Sequence, residues 1–362
     1  MKRIRVLIVE DSAVIRELLK HLIERDSRLE VCAAVSSAEA ALSIVERVAP
    51  DVISLDIRLP GMDGLEATRR IMSLKPTPIV VVSAAVESEE MKIAMRALEA
   101  GALAVLEKPV GTNHKDYEEM AGRLCTQLAI MSQVRVLRQI LGGRAFARAG
   151  LPSCITSSAW TPAVGLDSRP AVFEILGVAC STGGPGALVE LLGGLGAAFP
   201  LPILAVQHMT PGFMEGFVSW LTGVCPFVVK AAVGGEIPVS GILYMAPTDR
   251  HLCIESGILK LSSEALVCGQ RPSGTILFQS MARNLGPKAL GVVLTGMGED
   301  GATGLLQIRR AGGYTIAEDP STALVSGMPS AAVVLGAARE VLRLADIAPR
   351  LRQLVAPVPA TL

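Results

Sequence analysis

Ser181 follows an apolar run, Val172 to Val178, and opens the turn Ser181-Thr182-Gly183-Gly184-Pro185 ahead of a helical pattern from Ala187 to Leu192. Strand, sharp turn and helix is where an open parallel sheet presents a reactive side chain at its carboxyl edge. The N–H groups of the turn and the first helical turn can hold negative charge there. A serine nucleophile also needs a base, and the base needs a group to orient it. His208 closely follows the apolar run Leu201 to Val206. Asp300 lies in the glycine-rich turn 295–301, after the most hydrophobic run of this half, Ala289 to Leu294. All three sit just beyond predicted strand ends, so His208 could take the Ser181 proton while Asp300 fixes the ring and stabilises the imidazolium. On the residues alone, scattered structural side chains remain the alternative. His251 sits among hairpin signals, where a surface role fits equally well. The order Ser, His, Asp and the alanine at 179 depart from the G-x-S-x-G elbow of α/β-hydrolases.

A second constellation lies in the first third of the chain, where four apolar runs end in Glu10-Asp11, Asp56, Ser83 and Lys108. If these runs are parallel strands, their carboxyl ends share one edge and can line one pocket. Three clustered carboxylates repel one another, and a divalent cation with a preference for hard oxygen ligands, Mg²⁺, relieves the repulsion. Lys108 and the Ser83 hydroxyl could then grip a phosphoryl group carried on Asp56.

Both constellations require sheets. Strands are predicted at Ile4–Val9, Val31–Val35, Asp51–Leu55, Ile79–Val82 and Leu103–Leu106, and helices at Ala13–Arg25, Ala38–Val48 and about Leu65–Leu74. Ser12 or Asp11 is placed to cap the first helix. Such alternation calls for a parallel sheet covered on both faces. In the second half, strands are predicted at Leu201–Val206, Ala289–Leu294 and Tyr314–Ala317, with helices at Met214–Leu221, Ser273–Leu285 and about Thr303–Ala311. Short strands at Val228–Ala232, Ile242–Met245, His251–Ile254 and Ile258–Leu261 predict a hairpin-rich insert. Ala331–Leu335 and a helix around Glu340–Leu344 close the domain. This half reads as a doubly wound, mainly parallel α/β unit with a small hairpin insert. Leu124–Leu141 could continue as a helix, and the Gly-, Pro-, Ser- and Thr-punctuated stretch 142–170 reads as a linker in which Trp160 could dock. The expected division is therefore a first domain over 1–124, a helical extension and linker over 125–170, a second domain over 171–350 and a tail over 351–362.

Composition removes several function classes. Thirty-four basic residues balance 34 acidic ones among 362, and no basic run is interleaved with aromatics, which argues against nucleic acid. No stretch approaches 18 apolar residues without a charge or turn signal, and no signal peptide opens the chain, so a soluble protein without membrane insertion is expected. Seven scattered cysteines (32, 125, 154, 180, 225, 253, 268) read as reduced core filling in a cytoplasmic protein. Monomer is the default.

Residues 3–122 resemble a response-regulator receiver domain, a flavodoxin-like (βα)5 unit, through Glu10-Asp11, Asp56, Met62-Asp63-Gly64, Ser83 and Lys108-Pro109. The resemblance implies that Asp56 accepts phosphate from a histidine kinase of the CheA type. It also implies Mg²⁺ held by Glu10, Asp11 and Asp56, with Ser83 as switch hydroxyl and Lys108 as phosphate contact. Val105 stands where that family usually carries an aromatic, which puts an aromatic rotamer switch in question.

Residues 174–346 resemble the catalytic domain of the chemotaxis protein-glutamate methylesterase family, CheB. The runs that carry the resemblance are Ser181 to Pro185, Gln207-His208-Met209 with Pro211-Gly212-Phe213, and Tyr244-Met245-Ala246-Pro247. To these are added Arg271-Pro272-Ser273, Leu294 to Gly298 with Asp300-Gly301, and Ala317 to Pro320 with Gly327-Met328-Pro329. The resemblance implies a Ser181, His208, Asp300 triad, with Thr182 and Met297 in oxyanion and support elements. Ala179, Gln270 and Arg339 depart from the family pattern and leave the triad intact. What it implies is phosphorylation-activated removal of methyl esters from glutamates of methyl-accepting chemotaxis receptors, with release of methanol. Glutamine deamidation is the second implied activity, with no metal in the hydrolytic step. The unphosphorylated receiver would lie across the route to Ser181. The rival reading is a phosphorylation-dependent signalling scaffold whose esterase half is inert or repurposed. A transcription factor is disfavoured, because no helix-turn-helix with a basic face follows the receiver.

Overall fold

Strands that carry apolar residues on both faces must be covered on both sides, and the first five strands are largely of that kind. The computed structural model of the chain describes residues 2–83, 93, 96–98, 100–109, 117–134, 136, 173–209 and 212–356. Its first sheet comprises β1 (Ile4–Val9), β2 (Leu29–Val35), β3 (Val52–Asp56), β4 (Ile79–Ser83) and β5 (Ala104–Glu107), ordered β2-β1-β3-β4-β5 and parallel throughout. Alternate residues face opposite ways. Val6, Ile8, Val52 and Val80 pack with helices α1 (Ala13–Arg25) and α4 (Tyr117–Met131). Leu7, Val9, Ile53 and Val81 pack with α2 (Ala38–Val48) and α3 (Gly64–Leu74). Ser12, Ser37 and Asp63 cap α1, α2 and α3 by accepting from Ile15, Ala40 and Glu66 N–H, so of the two candidate caps for α1 the structure uses Ser12.

The predicted helix to Leu141 stops at Met131. The Ser132 hydroxyl donates to Ala129 O at 2.8 Å, a local bond that competes with helix continuation. The next amides turn back three residues, Gln133 to Ile130 O and Val134 to Met131 O. The rest of that stretch, the linker 142–170, Trp160 and Cys154 lie outside the described residues.

The second sheet has seven parallel strands in the order β14-β13-β12-β6-β7-β9-β8. They are β6 (Ile175–Cys180), β7 (Ile203–Gln207), β8 (Val228–Ala231), β9 (Ile242–Met245), β12 (Ala289–Val293), β13 (Tyr314–Glu318) and β14 (Glu340–Leu342). On one face lie α5 (Gly184–Leu195), α6 (Met214–Val224) and α10 (Leu344–Val355), through Leu188, Leu191, Phe217, Leu221, Ile347 and Leu351. On the other lie α7 (Gly274–Leu285), α8 (Ala302–Arg310) and α9 (Gly327–Val334), through Leu277, Phe278, Met281, Leu305 and Met328. Two expectations change. Of the four short strands described, only β10 (His251–Glu255) and β11 (Ile258–Ser262) form a hairpin, because β9 joins the main sheet beside β7 and β8 beside β9. The expected helix around Glu340–Leu344 is instead the three-residue strand β14 followed by α10. Three residues carry no period, and their pairing with β13 decides them.

Strand order reverses at β6, with β7 on one side and β12 on the other, and such a switch point opens a crevice at the carboxyl edge. Among the described residues no helix is long and apolar enough to cross a membrane.

Candidate active site

The turn after β6 is pinned from both neighbours. Ser181 N–H donates to Thr295 O at 3.0 Å, and Gly184 N–H closes onto Ser181 O at 2.8 Å. The buried Gln207 amide, at the end of β7, donates to Ser181 O at 2.8 Å and to His208 O at 2.9 Å. From the β12 side the Thr295 hydroxyl donates to Thr182 O at 2.8 Å, and Thr295 N–H donates to Glu318 Oε2 at 2.8 Å. Gly183 turns at φ +81°, where a side chain would be strained, and a Cβ on Gly184 would collide with Gln207 Oε1. The sequence motif is therefore a packing requirement: two glycines let β7 and β12 clamp the serine.

His208 leaves the end of β7 toward Asp300, with Nε2 2.8 Å from Oδ2. Asp300 is buried and saturated: it also accepts from Ser273 Oγ at 2.6 Å, Gly274 N–H at 2.6 Å and Thr275 N–H at 3.1 Å. Burial pushes its carboxyl up, but the His208 contact and the Ser273 hydrogen bond outweigh this and hold it at about 2. An ionised Asp300 fixes the Nε2–H tautomer of His208, which leaves Nδ1 as the basic nitrogen. Ser181 and His208 line one pocket. Among the described residues no hydrogen bond joins their side chains, a looseness common before substrate binds.

Three supporting residues had no role assigned from sequence. Ser273 caps α7 and grips Asp300, Gln207 ties Ser181 to His208, and Glu318 anchors Thr295. Ser273 carried an N-cap signal, but which carboxylate it reaches is a tertiary fact. Burial raises Glu318 to about 7 against its hydrogen bonds from Thr295 and Thr322. His251 is not on the surface. It is fully buried, with Nε2 3.0 Å from Ala265 O, while its Nδ1 accepts from Ser273 N–H at 3.2 Å, behind the Ser273–Asp300 contact.

The receiver residues also converge. Glu10, Asp11 and Asp56 offer oxygens within 4.8 Å of one another. Lys108 Nζ donates to Asp56 Oδ2 at 2.7 Å and to Glu10 Oε1 at 3.2 Å. It also forms an ion pair at 2.9 Å with Glu10 Oε2, a buried oxygen that accepts no hydrogen bond. Burial, with the Asp56 charge nearby, raises Glu10, and burial raises Asp56, in both cases against Lys108. Lys108 is lowered by burial but raised overall by these two carboxylates. An unsatisfied buried carboxylate oxygen among three acids fits a small oxygen-seeking divalent cation. Ser83 is buried at the end of β4, and its carbonyl accepts from Lys108 N–H at 2.9 Å.

A cavity of about 340 Å³ separates the two units. Receiver residues Leu103–Leu106 and Gly122, Arg123, Thr126 and Gln127 of α4 line one wall. Ser181, Thr182, His208 and the half-exposed Met297 line the other. Val105, the non-aromatic departure, lies in this wall and packs against the catalytic core. Lys108, which touches Asp56, follows directly on the strand that carries it.

Residues 176–351 match the CheB methylesterase family model and residues 6–115 the response regulator receiver domain model. The chain is 57% identical over 354 residues to protein-glutamate methylesterase/protein-glutamine glutaminase 2 of Paramagnetospirillum magneticum, which covers 98% of each. It is 42% identical over 349 residues to protein-glutamate methylesterase/protein-glutamine glutaminase 4 of Myxococcus xanthus, which covers 96% of each. A crystal structure of the Thermotoga maritima CheB methylesterase catalytic domain is 35% identical over 51% of this chain and 99% of that one, with a TM-score of 0.49.

Proposed function

This chain belongs to the CheB methylesterase family, and from that premise we propose a serine-hydrolase mechanism for it. It is a receiver-regulated protein-glutamate methylesterase and protein-glutamine glutaminase of chemotactic adaptation. Its substrate is a chemoreceptor and its phosphodonor a histidine kinase, which we take to be of the CheA type. The observation that carries the mechanism is the His208–Asp300 pair at 2.8 Å, set at the edge where Ser181 leaves β6.

Ser181 Oγ attacks the γ-carbonyl carbon of a receptor glutamate methyl ester while His208 Nδ1 takes its proton. The Thr182 N–H, at the start of the turn into α5, holds the oxyanion. His208 returns the proton to the methoxide as its bond to the acyl carbon breaks, so methanol departs and the glutamyl group remains as an ester on Ser181. Water deprotonated by His208 then releases glutamate and restores Ser181 Oγ–H. With a glutamine substrate the same steps expel ammonia, a poorer leaving group.

In the receiver, Glu10, Asp11 and Asp56 would hold Mg²⁺, which would supply charge neutralisation beside Asp56, the residue that takes phosphate. Lys108 and Ser83 then contact the phosphoryl oxygens. Because Lys108 adjoins β5, whose residues line the cavity wall, its reorganisation shifts the balance between closed and open pairings of the two units. We take the receiver unit to run to Met131 and the catalytic unit from Phe173 to Val355, since α4 and α10 each pack into their unit as one helix.

The test is methanol release from methylated receptor membranes, with and without a small phosphodonor plus Mg²⁺. Ser181→Ala is expected to abolish release, and Asp56→Asn to keep the basal rate and lose the stimulation. Undiminished release by Ser181→Ala would sink the mechanism.

A further inference from the structure

The described contacts between the two units include one hydrogen-bonded side-chain pair at the residue next to Ser181. Gln127, on α4 of the receiver, places Nε2 3.2 Å and Oε1 3.5 Å from Thr182 Oγ1. A threonine hydroxyl accepts one hydrogen bond and donates another, so it matches both halves of a primary carboxamide. Thr182 directly follows Ser181 and shares the cavity wall with Ser181 and His208.

The group that Gln127 presents is the functional group a glutaminase hydrolyses, and it is presented from a helix. Gly122, Arg123, Thr126 and Gln127 recur at helical spacing and form one face of α4 toward the cavity. Gly122 and Thr126 are small and let the α4 backbone approach. Among the described residues the carboxamide has no hydrogen bond to Ser181, so Thr182 holds it beside the nucleophile and not on it.

We infer that Gln127 is an internal substrate mimic, a carboxamide borne on the receiver that competes with the receptor's glutamine or methylated glutamate for the Thr182 side of the active site. This rests on the hydrolase reading above and deepens it. Coverage by α4 would then be more than bulk. It borrows the recognition group that the catalytic unit has for its substrate, and the Thr182 hydroxyl contacts the substrate γ-carbonyl group when α4 withdraws. An intramolecular competitor of this kind raises the apparent KM by the reciprocal of the open fraction and leaves kcat unchanged at saturation.

The experiment is methanol release by the full chain over a range of methylated receptor concentrations, with and without phosphodonor plus Mg²⁺. Wild type is compared with Gln127→Met, which keeps the volume and removes the carboxamide, and with Gln127→Ala. Without phosphodonor, Gln127→Met is expected to lower KM about fivefold at unchanged kcat, the scale of one net hydrogen bond. With phosphodonor it is expected to match wild type, which also checks that it folds. Gln127→Ala should do the same. If only Gln127→Ala lowers KM, bulk coverage is the whole effect and the mimic is overturned. An unchanged KM in both variants, with normal activated rates, overturns it as well. If even activated wild type releases no methanol, the hydrolase reading falls, and the mimic with it.

Discussion

Two carboxylate sites stand at the carboxyl edges of two parallel sheets, and they are built in opposite senses. Asp300 is buried with four donors on it and is held ionised at about 2. Glu10 and Asp56 are equally buried, share one lysine, are pushed up from the carboxylate range, and leave Glu10 Oε2 without a hydrogen bond. The first arrangement is complete before substrate arrives, as electrostatic preorganisation requires. The second becomes complete only on gaining charge from outside. A proposed catalytic site and a proposed switch can thus occupy the same kind of sheet edge and differ in whether their polar groups are already satisfied.

The largest way to break this comparison is Asp300→Asn. An amide cannot fix the His208 tautomer as a carboxylate does, and its NH2 would face donors. A loss of about 10³–10⁴ in kcat is expected, with and without phosphodonor. A loss below tenfold would mean that Asp300 is not part of the chemistry.

Stability against pH should separate the two units next. Asp300 is depressed to about 2 from an ordinary 3.8. It therefore contributes about 2 kcal/mol above pH 4, lost as pH falls toward 2. Glu10 and Asp56 are raised, so their contribution is present below the ordinary carboxylate range and lost as pH rises through the elevated values. Lys108, raised as well, stays charged across this window. Calorimetry should show the catalytic transition weakening as pH falls from 4 to 2, where the receiver carboxylates contribute no such loss. Above pH 4.5 both transitions should weaken as pH rises, the catalytic one through the raised Glu318 and the receiver one through Glu10 and Asp56, and Mg²⁺ should restore only the receiver. Equal acid losses in both transitions below pH 4, or a Mg²⁺ response in the catalytic one, would count against the contrast.

How far either site could be read in the sequence depends on what periodicity encodes. Runs such as Ile79–Val82 and Ala289–Val293 are apolar on both faces, so alternation with helices pointed to two parallel sheets and put Asp56, Ser181, His208 and Asp300 near strand ends. Side-chain direction is not periodic. Nothing in the order of residues says that Ser273 turns onto Asp300 or that His251 is buried behind Ser273. The pairing of short elements escaped for the same reason: β14 has three residues, and β8 and β9 are legible as strands but not as members of the main sheet, where β9 pairs with β7 and β8 with β9. Val105 could be recognised as a non-aromatic departure, but its place in the wall facing the catalytic unit depends on how the units meet.

The Mg²⁺ response sharpens the receiver side. At Mg²⁺ tenfold above its dissociation constant, wild type should gain about 1.4 kcal/mol in the receiver transition. Glu10→Gln removes the charge on the oxygen that has no hydrogen bond, so this gain should vanish while the catalytic transition stays fixed. An undiminished gain would move the cation site elsewhere.

The smallest effect concerns the alanine at 179, just behind the nucleophile. A Cβ on Gly274 would lie 2.5 Å from the Ala179 Cβ, so one methyl group occupies a space that the two positions share. Gly274 N–H is also one of the donors to Asp300. Ala179→Gly should cost about 1 kcal/mol through lost burial and backbone freedom, with kcat within twofold. Gly274→Ala alone should do more harm, because relieving the collision moves an Asp300 donor and lowers kcat. The double variant Ala179→Gly, Gly274→Ala puts the methyl on the other wall and should recover most of that kcat. Recovery would show that the catalytic side tolerates a change of sequence only when the cradle of Asp300 stays filled. If the two effects simply add, the methyl and the cradle are independent, and preorganisation there rests on the hydrogen bonds alone.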